Sequence, residues 1–266
     1  MRTVSLIDEL QAALTSGTDE RRIEMLARIT SLFVGGAARY SEEQIGVFDD
    51  VMVRLVSTVE AESRAKLAHS LAPIVNAPPS VVHILAFDDD IDVARPILVQ
   101  SERLDEHALI ANACSKSQQH LFAITQRQLL SEAVTDVLIG RGDREVIHSV
   151  VKNTGARFSD AGFLMLVTRS GGDEALAVAV GMRADIPRPH LLMLLEKVSS
   201  EVATRLLTAE NSQPSRAIGA AAVMLETAGG IGNEARNAPP SDFAAKQTPT
   251  ELQNRALLLF EQALAS

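Results

Sequence analysis

The sequence predicts an all-α fold, in which an N-terminal helical bundle continues into a solenoid of αα-hairpins. Three observations predict it. The apolar fraction is 46%, drawn mainly from Ala, Leu, Val and Ile, with 3% aromatics, no Trp and one Tyr (Tyr40). Small aliphatic side chains of this kind let helices pack closely. Residue types that cap helices recur at a nearly constant spacing, each followed by the same apolar face. Finally, no run alternates apolar and polar residues between turn signals, as a strand would.

Residues 1–77 read as the bundle. "SLIDELQAALTS", "TDERRIEMLARITSLFVGGAARY", "SEEQIGVFDDVMVRLVSTV" and "ESRAKLAHSLAPIV" follow one another as longer helices. "TDER" and "SEEQ" are helix starts, and Ser41 with Gln44 matches a capping box. The "NAPPS" break at Asn76–Ser80 marks a change of pattern.

Residues 78–209 read as repeats. Asp90, Ser117, Asp143, Asp173 and Ser199 are spaced 27, 26, 30 and 26 residues apart, a period of about 27. Each type can cap a helix by accepting a first-turn N–H. Three positions on come Val93, His120, Val146, Leu176 and Val202. Four on come Ala94, Leu121, Ile147, Ala177 and Ala203, and seven on come Ile97, Ile124, Val150, Val180 and Leu206. Offsets of three, four and seven make one face of a helix. A second series of caps, Ser80, Asp105, Ser131, Ser159 and Asp185, opens a preceding helix in each unit, with Pro187 suited to a first turn. Gly140, Gly142, Gly155, Gly171 and Gly172 fall between helices, where a positive φ is expected. Pro96 cannot donate to the Asp92 carbonyl, so a bent or opened helix is expected there. One amphipathic hairpin cannot bury both its faces, whereas stacked neighbours can.

Residues 210–266 mix an Ala-rich helix candidate, a Gly/Pro-rich tether and a last helix candidate. The apolar stripe of that last helix is Leu252, Ala256, Leu259, Phe260 and Ala263. Leu252, Leu259 and Phe260 are candidates for self-association.

Paired helices with Asp or Ser opening the second resemble HEAT-type repeats, with a shorter unit than the usual ~40–47 residues. The phrases "RIEMLARITSLF", "FDDVMVRL", "DDDIDVARPILVQS", "KNTGARFS", "RADIP" and "SSEVATRLL", between Arg21 and Ala209, are also similar to an uncharacterised bacterial family. That family is described only as a helical domain of unknown function, so the resemblance implies a fold and carries over no reaction, cofactor or catalytic residue.

Charge bears on function class. The net charge is −9 and the pI about 5.2, with no block of Lys or Arg. Nucleic-acid binders need a cationic surface, and single-strand binders add aromatic platforms. Neither is evident. One cysteine, Cys114, excludes an intrachain disulfide, and no run approaches the ~18 apolar residues of a membrane span. The expectation is a cytoplasmic protein without membrane insertion.

Candidate chemistry is sparse. Asp88, Asp89, Asp90 and Asp92 fall within five positions. Asp88, Asp90 and Asp92 alternate as in a Ca²⁺ loop, but no Gly lies in the run and the twelfth position is Val99. With Asp90 as a cap, Asp88 and Asp89 are left as spare carboxylates. "SGGDEAL", Ser170–Leu176, holds the four letters of the diguanylate cyclase signature but lacks its strand turn and following aromatic. The six histidines form no HExxH pair. His120 occupies an apolar repeat position and reads as a core histidine, and Cys114 as a small buried residue. No catalytic, cofactor or metal set is therefore assigned.

Ten positions after the caps come Gln100, Arg127, Asn153 and Arg183. Polar residues there would end the second helices, where cations and amides suit exposed carbonyls, or form a ridge that meets a partner. Together with Asp88 and Asp89 they are the partner-binding candidates. The functional expectation is a non-enzymatic protein–protein interaction scaffold or adaptor in bacterial signalling. The alternative is a HEAT-like, nucleic-acid-acting enzyme of the base-excision type. It would need a basic groove from Arg127, Arg157, Arg169 and Arg183.

Overall fold

The computed structural model describes residues 17–210. These residues form thirteen α-helices and one 3-10 turn, and among them no strand is longer than an isolated bridge. The fold is all-α. The chain divides into two compact units, Met1–Gly162 and Phe163–Ser266. "SLIDELQAALTS" and the whole segment 211–266, with the stripe of Leu252, Leu259 and Phe260, lie outside the described residues.

The first unit opens with α1 (Asp19–Gly36), whose acidic first turn favours the positive end of the helix dipole. It buries Met25, Leu26, Ile29 and Phe33 on one face. The 3-10 turn Ala37–Arg39 then folds Tyr40 back, so that Phe33, Tyr40 and Phe48 cluster with ring centroids 5.0–5.8 Å apart. Helix α2 (Glu42–Val56) starts on the expected capping box. Gln44 N donates to Ser41 Oγ and Ser41 N donates to Gln44 Oε1, at 3.3 and 3.0 Å. Helix α3 (Ala61–Leu71) follows.

Next come α4 (Pro79–Ala86), α5 (Ile91–Gln100), α6 (Glu106–Ser115), α7 (Gln118–Thr125), α8 (Glu132–Arg141) and α9 (Arg144–Lys152). Asp90, Asp105, Ser131 and Asp143 cap α5, α6, α8 and α9 as read from the sequence. Ser117 stands at the cap position of α7 but pairs with the His120 ring rather than a backbone N–H. Ser80 is not a cap. Pro79 takes the first helical position, and the buried carboxylate of Asp49 on α2 does the capping instead. It accepts from Ser80 N at 3.0 Å and Val81 N at 2.9 Å. Asp49→Ala strands two inward N–H groups, so it should destabilise the chain by about 2–3 kcal/mol in urea unfolding, with Asp49→Asn recovering part of it.

Helix packing follows a rule of two. α1 lies on α3, α3 on α5, α5 on α7, and α7 on α9, while α2 lies on α4 and α6 on α8. Within hairpins, α4 meets α5, α6 meets α7, and α8 meets α9. The core is the face read from the offsets: Val93, Ala94, Ile97, His120, Leu121, Ile124, Val146, Ile147 and Val150 are all buried. Each large aliphatic side chain so buried contributes about 1.5–3 kcal/mol. Pro96 is buried inside α5, which nevertheless runs unbroken from Ile91 to Gln100. The proline does not interrupt the helix, and tertiary packing of Val93, Ala94, Ile97 and Leu98 holds the turn.

Helix α10 (Asp160–Arg169) leads into the second unit, which continues with α11 (Glu174–Gly181), α12 (Arg188–Lys197) and α13 (Ser200–Glu210). Asp173 caps α11, its Oδ1 accepting from Leu176 N at 3.1 Å. Asp185 caps nothing. α12 begins beyond it, after an extended Pro187, and the carboxylate pairs with Arg183. α11 packs on α12 and α13. Leu206 and Leu194 sit where a side chain at Gly181 would point. Among the described glycines only Gly172 has a positive φ, +87°. Of the others named from the sequence, Gly140 lies within α8, and Gly142 and Gly155 stand where neighbouring atoms leave no room for a side chain, the connection at Gly142 closing through an extended cap with ψ 143°.

Candidate functional site

The second helices of the hairpins end at carbonyls with no intrahelical donor. Arg127, just past the end of α7, donates from Nη1 to Leu98 O at 2.8 Å and from Nη2 to Ser101 O at 2.9 Å. Those carbonyls are at the end of α5, one hairpin earlier. Asn153, just past α9, repeats the arrangement, with Nδ2 donating to Thr125 O at 2.8 Å and Arg127 O at 2.7 Å. Its Oδ1 accepts from Gly155 N at 2.8 Å. Arg103 Nε reaches Ala77 O at 3.0 Å, and buried Asn112 Nδ2 reaches Ala86 O at 2.8 Å. Arg103–Ala77, Arg127–Ser101, Asn153–Arg127 and Asn112–Ala86 all span 26 residues. Arg141 adds a further rung to Ala113 O. These bonds form a ladder with the period of the repeat, and each rung ties one hairpin to the next.

Burial pushes the Arg127 guanidinium below its ordinary range, with Glu102 pulling the other way. An arginine stays charged through such a shift. A cation among C-terminal carbonyls is also favoured by the helix dipole.

Beside this ladder lies an open depression of about 560 Å³, bordered by Gln126, Gln128, Ser149, Lys152 and Thr154. Thr125, Ser149 and Gln126 are joined by hydrogen bonds of 2.6–3.2 Å. Gln128, Lys152 and Thr154 are exposed, and Leu129 next to them is 78% exposed.

The acidic run resolves into three separate roles. Asp90 caps α5. Asp88 accepts from Arg64 Nε at 2.6 Å and Nη2 at 3.4 Å, and from Asp90 N at 3.0 Å. The Asp88 carbonyl accepts from His120 Nε2 at 2.9 Å, which leaves His120 Nδ1 to accept the Ser117 hydroxyl at 2.8 Å. Asp89, 96% exposed, meets Lys116 at 2.6 Å. Hydrogen bonding and then the charge of Lys116 hold the Asp89 carboxyl below its usual range. The sign is that of a depressed acid: the pair favours the fold above the unfolded-state pKa and stops doing so as pH falls through the lowered one. Full exposure keeps that effect small. Asp88→Ala should therefore cost about 2 kcal/mol, whereas Asp89→Ala should leave the melting temperature unchanged. Equal losses in both variants would refute the division of roles.

Of the six partner-binding candidates, the structure brings Arg127 and Asn153 onto successive rungs of the ladder. Asp88 is 11% exposed in its side chain and turned to Arg64. Gln100 and Asp89 are exposed. Arg183 lies in the second unit, forked onto Asp185 at 2.8 and 2.9 Å. Among the described residues no three His, Cys, Asp or Glu side chains converge as metal ligands would. Cys114 is exposed, contrary to its reading as buried, because Asn112 and Ala113 take the inward positions of α6. Sequence reasoning missed Arg64, Arg103, Asn112, Arg141 and Asp49. The rungs Arg103, Asn112 and Arg141 carried a signal: each lies about one repeat after the residue whose carbonyl it bonds.

No described helix is long and apolar enough to cross a membrane. No curated protein and no solved structure matches the chain. Residues 93–259 match the family described as "uncharacterised protein conserved in bacteria" (DUF2336), from the second residue pair of α5 to the middle of the last helix candidate. That span is more than half of the chain, which therefore belongs to this bacterial family.

Proposed function

We propose that the chain is a non-enzymatic protein–protein interaction scaffold built on a HEAT-like solenoid, working in the bacterial cytoplasm. The ladder carries this reading. Bonds repeated every 26 residues fix each hairpin on the last, as a stacked array requires. Such an array offers an extended, preorganised surface. The edge that meets a partner is the one beside the rungs, where Gln128, Leu129, Lys152 and Thr154 stand clear of the ladder. An apolar tip among polar neighbours suits the centre of a small contact. The nucleic-acid alternative gains nothing from Arg127, whose donors face carbonyls.

The test is affinity purification with mass spectrometry, using the wild-type chain and the double variant Leu129→Glu/Lys152→Glu. A partner held at near-stoichiometric yield by the wild type should be lost by the double variant and kept by the distant control Lys66→Glu. No enriched protein with the wild type, or the same yield with the double variant, would reject the proposal.

A further inference from the structure

In the second unit, α11 and α13 leave a groove of about 390 Å³ between them. Ala175, Val178 and Val202 form its floor, and Glu174, Glu201 and Arg205 its rim. The floor is apolar and the rim mixed in charge, which suits an amphipathic helix with an apolar stripe and charged edges. We propose that the occupant is this chain's own segment 251–263, lying in the groove as a helix.

Four observations favour that occupant. First, Leu252, Ala256, Leu259, Phe260 and Ala263 repeat at helical spacing, so one face of the segment is apolar. Second, Arg255 is three residues after Leu252 and four before Leu259, which puts a cation at the edge of the stripe. The rim offers Glu174 and Glu201 to meet it. Third, 40 residues, 211–250, separate the end of α13 from the segment, and the groove runs along α13, whose eleven residues span about 16 Å, so that length of chain is ample for a return. Fourth, the family match runs through residue 259. The groove and most of the stripe thus belong to one family unit. A site for a second copy or a foreign partner would not need the stripe to be carried within that unit.

The experiment uses the full chain with Cys114→Ser, to remove the native thiol, and the pair Val178→Cys with Leu259→Cys. Oxidation should give a disulfide within one chain, seen as a monomer by light scattering and as a linked 178–259 peptide pair by mass spectrometry. A disulfide only between chains assigns the groove to a second copy and overturns the proposal. No disulfide under the same conditions also overturns it. Should the cysteine pair disturb folding, hydrogen exchange decides. In the otherwise wild-type chain, Leu259→Glu/Phe260→Glu should speed exchange across residues 174–181 and 200–206 at least tenfold while leaving α7 and α9 unchanged. Unchanged exchange in the groove helices would reject the docked segment.

Discussion

Arg127→Met is expected to destabilise the first unit by about 3 kcal/mol, the sum of two hydrogen bonds from a charged donor less the packing that the methionine restores. The geometry explains the size. The guanidinium crosses from the end of α7 to two carbonyls at the end of α5, at 2.8 and 2.9 Å. Removing it leaves both acceptors facing a partly buried gap with no donor. Arg127→Lys should recover less than half of the loss, because one ammonium on a flexible stem cannot reproduce the fork that serves two carbonyls. Chemical unfolding followed by far-UV circular dichroism measures both variants. Hydrogen exchange should localise the damage to the junction of α5 and α7. This result separates two meanings of a polar residue at the tenth position after a cap. A residue there for a partner alone could be replaced without touching stability. A rung cannot.

The distinction bears on what the sequence could show. Periodic caps and apolar offsets specify helices one at a time, and local hydrogen bonds within a few residues enforce them. Asp90, Asp105, Asp143 and Asp173 act as expected for that reason. Where a cap comes from elsewhere, the local pattern misleads. Asp49 serves α4 across 31 residues, so Ser80 looked like a cap that it is not. Glycines misled in a similar way. A glycine between helices suggests a left-handed turn, yet Gly142 and Gly155 are there because neighbouring atoms leave no room for a side chain. The candidate site was half legible. Arg127 and Asn153 were found by register, but what they hold depends on which hairpin stacks on which, and no single repeat carries that information. Asp88 looked spare for the same reason: its partner Arg64 comes 24 residues earlier, on α3.

Gly155→Ala should be the most damaging single-methyl change in the first unit, costing about 3 kcal/mol or more and lowering the melting temperature by about 6–12 °C. The backbone at Gly155 is not in a left-handed conformation, so the loss is purely one of space. An added Cβ would fall on the carbonyl of Gln128. That carbonyl cannot move aside freely, since the next residues are pinned: Leu130 N donates to Gly155 O at 3.2 Å and Arg157 N to Leu130 O at 3.0 Å. Thr135 Oγ1 then donates to Arg157 O at 2.6 Å, fixing the connection to α8. Gly155 N also holds Asn153 Oδ1, which orients the amide for its two rungs. Displacing this turn should therefore weaken the Asn153 rungs too, and Asn153→Ala should add little in the Gly155→Ala background though it is costly alone. Gly172→Ala provides the contrast. Its φ of +87° makes alanine strained, but nothing lies within 4 Å, so the penalty should be only about 1 kcal/mol. Thermal unfolding of the three single variants and the Asn153→Ala/Gly155→Ala double variant checks the order. If Gly155→Ala melted no lower than Gly172→Ala, the close approach of the two connections could not be what holds α7 and α9 in register.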